Sequence, residues 1–142
     1  MNAHTLNSYN EFKSFRTQWN NLYTTSESEN PFLSWEWINL WLLQFPNNFK
    51  IRIVVVEKNN ELLCIAPFLI KNKDLFFLSD SLFSDYMDIL TYSESSDVIE
   101  KVVKTLINYS DWNRANLLTI PGFSKCLHHY KDAFAKHAIY CS

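Results

Sequence analysis

The sequence predicts an α+β domain that grades into α/β, in which a mixed, mostly antiparallel sheet is flanked by helices. The hydrophobic period changes from helical to alternating near residue 50 and becomes helical again near residue 95. The predicted order is two helices, an antiparallel meander, and then alternating strands and helices. The 142 residues suit one domain with one core, spanning residues 1–142.

Two helices are predicted ahead of the sheet. In SYNEFKSFRTQWNNLY, Ser8 and Glu11 have the spacing of a capping box, and apolar residues then recur on one helical face. Ser34 is a second candidate cap, because it precedes an apolar helical pattern that stops near Pro46.

The meander is predicted over Ile51–Leu78, because β-branched and aromatic runs alternate there with polar turns at 58–61 and 71–74. Further strands are expected over Tyr86–Tyr92 and Ala115–Ile120. Helices are expected over Asp97–Tyr109, capped by Ser95 or Ser96, and over Phe123–His137.

Composition excludes several classes of protein. The net charge is −2 and the basic residues are scattered, so we expect no nucleic-acid partner. The three cysteines are widely spaced and form no C-x-x-C pair, which indicates neither a disulfide framework nor a zinc site; they are Cys64, Cys126 and Cys141. His128 and His129 diverge on a helix and cannot both bind one metal ion, so no metal is expected.

The cellular location is predicted to be the cytoplasm. The start, MNAHTLNSYNEF, has no basic cluster followed by an apolar stretch, as a signal peptide would have. The most apolar segment, Trp35–Phe45, is too short to span a bilayer, so no membrane association is expected.

The stretch LFSDYMDIL combines chemistry-bearing residues with a strand-like pattern. Asp85 and Asp88 are candidate carboxylates for an acceptor amine, and Tyr86 is a candidate hydroxyl donor. The alternative is structural: Ser84 and Asp85 form a turn, Tyr86 packs with its hydroxyl at the surface, and Asp88 faces water by alternation.

Trp35 and Trp37 are further candidates for substrate binding, because aromatic side chains often line ligand sites. The helical spacing of Trp37 and Trp41 favours ordinary core packing instead. The sequence identifies no catalytic residue.

Several short segments of the sequence follow one another in a particular order. In chain order they are Trp19 with Leu22, NPFLSWEWINLWLLQF, RIVVVEKNNELLCIAPFLI, SDYMDIL and WNRANLLTIP. In this order and spacing the chain resembles the N-terminal half of the GNAT-like acyltransferases of the CelD and BioF2-like family, distant relatives of the FemAB aminoacyl transferases. Members of that family are longer and consist of two GNAT-type halves, of which the second usually carries the acyl-CoA-binding elements.

The resemblance implies acyl-CoA for the full-length family but no cofactor in this chain. A GNAT cofactor site holds the CoA pyrophosphate on backbone N–H groups at a helix N-terminus, reached through a glycine-rich turn. Gly122 is the only glycine here, so such a turn is absent. The chain is therefore expected to be a single domain that is truncated relative to the family.

Two functions follow as hypotheses. In the first, the chain is the N-terminal half of a GNAT-type N-acyltransferase, contributes the acceptor side and is inactive alone. In the second, it is a non-catalytic binding or assembly module that keeps a GNAT-like fold. Ile139–Cys141 resembles the start of another strand, so we expect pairing with a second GNAT-like half or self-association. The acceptor is an unidentified small molecule.

Overall fold

The structure is a computed structural model that describes residues 1–44, 48–78, 87–91, 95–117 and 127–136. It is an α+β fold in which helices cover both faces of an open, mixed and mostly antiparallel sheet, as the sequence predicts. The strands are β1 Asn2–Leu6, β2 Lys50–Lys58, β3 Glu61–Lys71, β4 Asp74–Phe77, β5 Leu90–Thr91 and β6 Arg114–Ala115. The helices are α1 Tyr9–Ser14, α2 Arg16–Thr25, α3 Trp35–Gln44, α4 Ser96–Ile107 and α5 Leu127–Lys136, with a 3-10 turn at Pro31–Leu33.

The strands lie in the order β1-β2-β3-β4-β6, and β5 also pairs with β3. All pairs are antiparallel except β4 with β6. Two-residue turns close the β2–β3 and β3–β4 hairpins at Asn59–Asn60 and Asn72–Lys73, and all four residues have positive φ angles. Positive φ at both central positions is what a type I′ turn requires, and asparagine tolerates it without glycine.

Strands β2 and β3 are buried on both faces. Val54 and Ala66 belong to the cluster under α4 and α5, called here the α4–α5 face. Ile53 and Ile65 belong to the cluster under α1, α2 and α3, called the α1–α3 face. Alternation along a strand therefore sends apolar side chains into two separate cores, which explains the continuous apolar runs in the sequence.

The first strand is a feature that the sequence reading missed. Residues 2–6 alternate between more and less exposed side chains, and Leu6 is buried opposite Ile53. Five residues with Asn, His and Thr among them carry little β signal of their own. The pairing comes from the edge of the apolar strand β2, which is a tertiary effect.

Predicted helix one is two helices. Ser8 caps α1 as expected, and its hydroxyl accepts from the Glu11 N–H at 3.1 Å. At Phe15 the helix ends in a tighter turn, because the Phe15 N–H donates to the Phe12 carbonyl three residues back. Helix α2 then begins at Arg16. Phe12 and Trp19 are still both buried, so the predicted apolar face is preserved across the break.

Within the described residues, the later elements agree with the sequence in type. Ser95 caps α4 as expected, and its side chain accepts from the Val98 N–H. The fourth predicted strand is β5 alone, since Met87–Ile89 is not in strand conformation. The fifth is reduced to β6 within the described residues. Predictions for Asp85, Tyr86 and 118–126, and for 137–142 with Ile139–Cys141, lie outside the described residues.

Arg52 joins three parts of the fold at one end of the sheet. It is the only buried charged residue in the described ranges. Its Nη1 and Nη2 donate to both carboxylate oxygens of Asp111 at 3.1 and 2.8 Å, and its Nε donates to Asn7 Oδ1 at 3.1 Å. The guanidinium lies 3.7 Å from the Tyr109 ring centroid, and the Tyr109 hydroxyl meets that of Thr5 at 2.7 Å. The contacts connect β1, β2 and the segment after α4.

Replacing Asp111 with Asn should destabilise the fold by about 3 kcal/mol, because it leaves a buried guanidinium without its countercharge. The matched control is Asp74→Asn, which removes an equally bidentate partner from Arg114, whose side chain is 55% exposed. That exposed pair should contribute at most about 1 kcal/mol. Urea denaturation at pH 7 measures both values, and equal losses would show that Arg52 does not depend on Asp111.

Candidate functional site

Strand β3 changes its partner on one side at Pro67, while its pairing with β2 on the other side continues. Leu78 donates its N–H to the Pro67 carbonyl at 2.8 Å, but proline has no N–H to return the bond. The ladder between β4 and β3 ends there, and β5 resumes pairing with β3 where Leu90 stands opposite Ile65. The β4–β5 connection therefore begins and ends at neighbouring points of the same strand.

Asp88 lies in the described part of this connection and is held on the α4–α5 face. Its Oδ1 accepts from the Tyr130 hydroxyl at 3.1 Å and from the Ile89 N–H at 2.8 Å. Tyr130 is buried on α5, whereas Asp88 is partly exposed. Met87 and Ile89 on either side are buried in the same core. The carboxylate is thus fixed in position at the surface of a core.

A second hydrogen bond fixes the return into the sheet. The Thr91 hydroxyl donates to the Leu63 carbonyl at 2.9 Å. Leu63 is the extra residue of a β-bulge, because the β2–β3 register shifts between Val56 and Glu57. Bulges and strand interruptions are common beside functional sites, where they redirect side chains.

Of the residues proposed from sequence, the structure locates three. Asp88 lies as described, and Asp85 and Tyr86 are outside the described residues. Trp35 is buried on the α1–α3 face, stacked on Phe12 with ring centroids 5.0 Å apart.

Trp37 is half-buried and packs edge-on against Phe32 at 5.2 Å. Trp35 and Trp37 belong to the layer on the α1–α3 face and Asp88 packs with the other layer, so the structure does not bring them together. Their role in substrate binding stays a prediction.

A groove of about 580 Å³ at the end of the sheet was not anticipated from the sequence. Its lining residues come from the start of α1, the end of α3 and the first residues of β2. They are Asn7, Ser8, Tyr9, Leu42, Leu43, Phe49, Lys50, Ile51 and Arg52. An arginine set within the apolar run of β2 is the one sequence signal that marks this end of the sheet.

The groove adjoins a cluster of charges. Lys50 Nζ and Arg52 Nη2 lie 3.5 and 2.8 Å from Asp111 Oδ2. Hydrogen bonds from Arg52, together with the charges of Arg52 and Lys50, lower the pKa of the Asp111 carboxyl below its usual 3.8, against the opposing effect of partial burial. The carboxylate is therefore ionised throughout the neutral range.

The described residues include neither an exposed cysteine nor a group of three side chains that could bind a metal ion. Cys64 is buried in β3, and Cys126, Cys141 and the His128 side chain lie outside the description. No three His, Cys, Asp or Glu side chains of the described ranges are grouped to suit a metal ion. Within the same ranges, no helix is long and apolar enough to cross a bilayer.

The chain matches no known family model, no curated protein and no solved structure. Function must therefore be argued from the residues and their geometry.

The pH dependence of unfolding tests the charge cluster. A carboxyl whose pKa is lower in the folded state stabilises the fold above its unfolded pKa of about 4, and this contribution is lost as pH falls through the folded pKa. The free energy of unfolding of the wild-type chain should fall more steeply below about pH 4 than that of Asp111→Asn. Denaturation at a series of pH values checks this, and parallel curves would contradict it.

Proposed function

We propose that this chain is the N-terminal half of a GNAT-like acyltransferase of the CelD and BioF2-like type. In this proposal it holds the acceptor substrate, and a separate half binds acyl-CoA and supplies the acyl group. The observation that carries the proposal is the change of partner along one side of β3 at Pro67, from β4 to β5, because the connection between these two strands carries the fixed carboxylate of Asp88.

The sheet supports the proposed ancestry. An antiparallel run from β1 to β4 is followed by α4, and β6 then pairs in parallel with β4. A mixed, mostly antiparallel sheet flanked by helices is the architecture that the resemblance implies.

Asp88 suits an acceptor amine. Its Oδ1 accepts from the Tyr130 hydroxyl and from the Ile89 N–H, which orients the carboxylate at the surface of the α4–α5 core. A carboxylate in this position can bind an ammonium or take a proton from it as the amine attacks an acyl group. Tyr130 is thereby a positioning residue.

The start of α4 supports the proposal that this half does not itself bind acyl-CoA. The N-terminus of a helix that follows a strand holds phosphate only where its N–H groups and its charge are available. Here the Val98 N–H already donates to the Ser95 hydroxyl, and Asp97 places a negative charge in the first turn. A pyrophosphate placed there would find the Val98 N–H already bonded to Ser95 and would be repelled by the Asp97 carboxylate.

The alternative, a binding or assembly module, is favoured by α3. Leu40 and Leu43 are 54% and 56% exposed and three residues apart, so they share one side of that helix. A partner covering this pair would remove apolar surface from water.

Nuclear magnetic resonance titration tests the acceptor role, with glucosamine, lysine and spermidine as amine probes and acetyl-CoA as the donor probe. At least one amine should shift the amide signals of residues 87–91 saturably, because it binds at Asp88. Acetyl-CoA should show no binding in the low micromolar range, which corresponds to about −8 kcal/mol.

The isosteric change Asp88→Asn keeps an acceptor for Tyr130 and should abolish the amine shifts. Asp132→Asn, which removes an exposed carboxylate from α5, should leave them unchanged. Tight acetyl-CoA binding, or the absence of any amine effect at residues 87–91, would contradict the proposal.

A further inference from the structure

The groove at the end of the sheet has the dimensions of a small-molecule site. Its volume of about 580 Å³ falls within the roughly 300–1,000 Å³ typical of ligand pockets. It lies at the end of the sheet and draws on both faces: Leu42 and Ile51 belong to the core of the α1–α3 face, whereas Lys50 and Arg52 alternate with Ile51 on β2 and share the side of Val54. None of its lining residues belongs to the connection that carries Asp88.

One wall of the groove is apolar. Leu42, Leu43, Phe49 and Ile51 line it together with the ring of Tyr9, whose hydroxyl donates to Asn39 Oδ1 at 2.6 Å. Leu43 is 56% exposed although it is a leucine in an apolar helix. A hydrocarbon chain or ring placed here would remove this apolar surface from water.

The other wall is polar and cationic. The two charged residues in the lining are Lys50 and Arg52. Asp111 and Asn7 engage the Arg52 guanidinium through three hydrogen bonds, which fixes it. Lys50 is different, because its side chain is 67% exposed and its ammonium has three donors, of which one reaches Asp111 at 3.5 Å.

The neighbouring charges leave an excess of positive charge. Lys13 Nζ lies 5.1 Å from the Tyr9 ring centroid and adds a third cation. The anions are Asp111, and Glu11, whose Oε1 accepts from the Ser8 hydroxyl at 3.2 Å. Glu11 and Lys13 are both exposed, so solvent screens both charges, whereas Asp111 is held against Arg52.

We propose that this groove binds a small amphiphilic carboxylate, with its apolar part on Leu42, Leu43 and Phe49 and its carboxylate on the Lys50 ammonium. An apolar wall beside a cationic wall matches the two ends of such a molecule. A cationic amphiphile would instead meet Lys50 and Arg52 with like charge. The groove shares no lining residue with the described part of the connection that carries Asp88, so the proposal goes beyond the acceptor role proposed above and does not rest on it.

Three probes of equal chain length separate charge from apolar contact: octanoate, 1-octanol and octylammonium, each below its micellar concentration. Amide chemical shifts in the full chain report binding at residues 7–9, 42–43 and 49–52. Octanoate should bind most tightly and octylammonium least.

Lys50→Gln should weaken octanoate binding about two- to fivefold, the range of an exposed ion pair, and leave 1-octanol binding unchanged. The matched control is Lys58→Gln, an exposed lysine at the far end of the same strand, which should change neither. Both are surface changes that keep the Arg52–Asp111 pair.

Leu43→Asn should weaken all three probes by about threefold or more, since it removes apolar contact area. Leu40→Asn is its control, because Leu40 is equally exposed on α3 but does not line the groove. Equal binding of the three probes, equal effects of the two leucine changes, or no saturable shift at the groove amides would each overturn the proposal. Amine shifts at residues 87–91 would be unaffected by any of these outcomes.

Discussion

The burial of β2 and β3 on both faces is the constraint on which the rest of the structure depends. Ile53, Val54, Val55 and Val56 are fully buried, although successive side chains point to opposite sides of the sheet. Two helical layers are needed to cover such a hairpin, and α1–α3 on one side and α4–α5 on the other provide them. The same burial limits where polar chemistry can lie, because an unpaired polar group inside either core would be strongly destabilising.

Polar groups are consequently found where the strands end or break. Arg52 stands near the start of β2 and is neutralised there by Asp111. Pro67 ends the pairing of β3 with β4, and the connection between β4 and β5 carries Asp88. The two candidate sites thus arise from one cause and share no lining residue among the described ones.

The class of fold, the meander and the caps at Ser8 and Ser95 could be predicted because each rests on local pattern: apolar periodicity, turn residues and cap spacing. Strand β1 could not, since its stability comes from pairing with β2 rather than from its own residues. The break at Phe15 preserves the apolar face, so the periodicity continues through it and gives no signal.

The candidate sites were harder to predict. Asp88 was identified from its apolar neighbours, but its partner Tyr130 is 42 residues away in sequence. The groove joins residues at the starts of α1 and β2 and at the end of α3 that no local pattern connects, and the Arg52–Asp111 pair spans 59 residues.

Native-state hydrogen exchange tests most directly whether the doubly buried hairpin holds the fold together. The amides of Ile53–Val56, Ile65, Ala66 and Phe68–Ile70 should exchange only through global unfolding, with the free energy measured by urea denaturation, while those of Met87–Thr91 exchange through smaller local openings. If the hairpin amides exchanged at a lower free energy than those of α4, the hairpin would not be the element on which both helical layers depend.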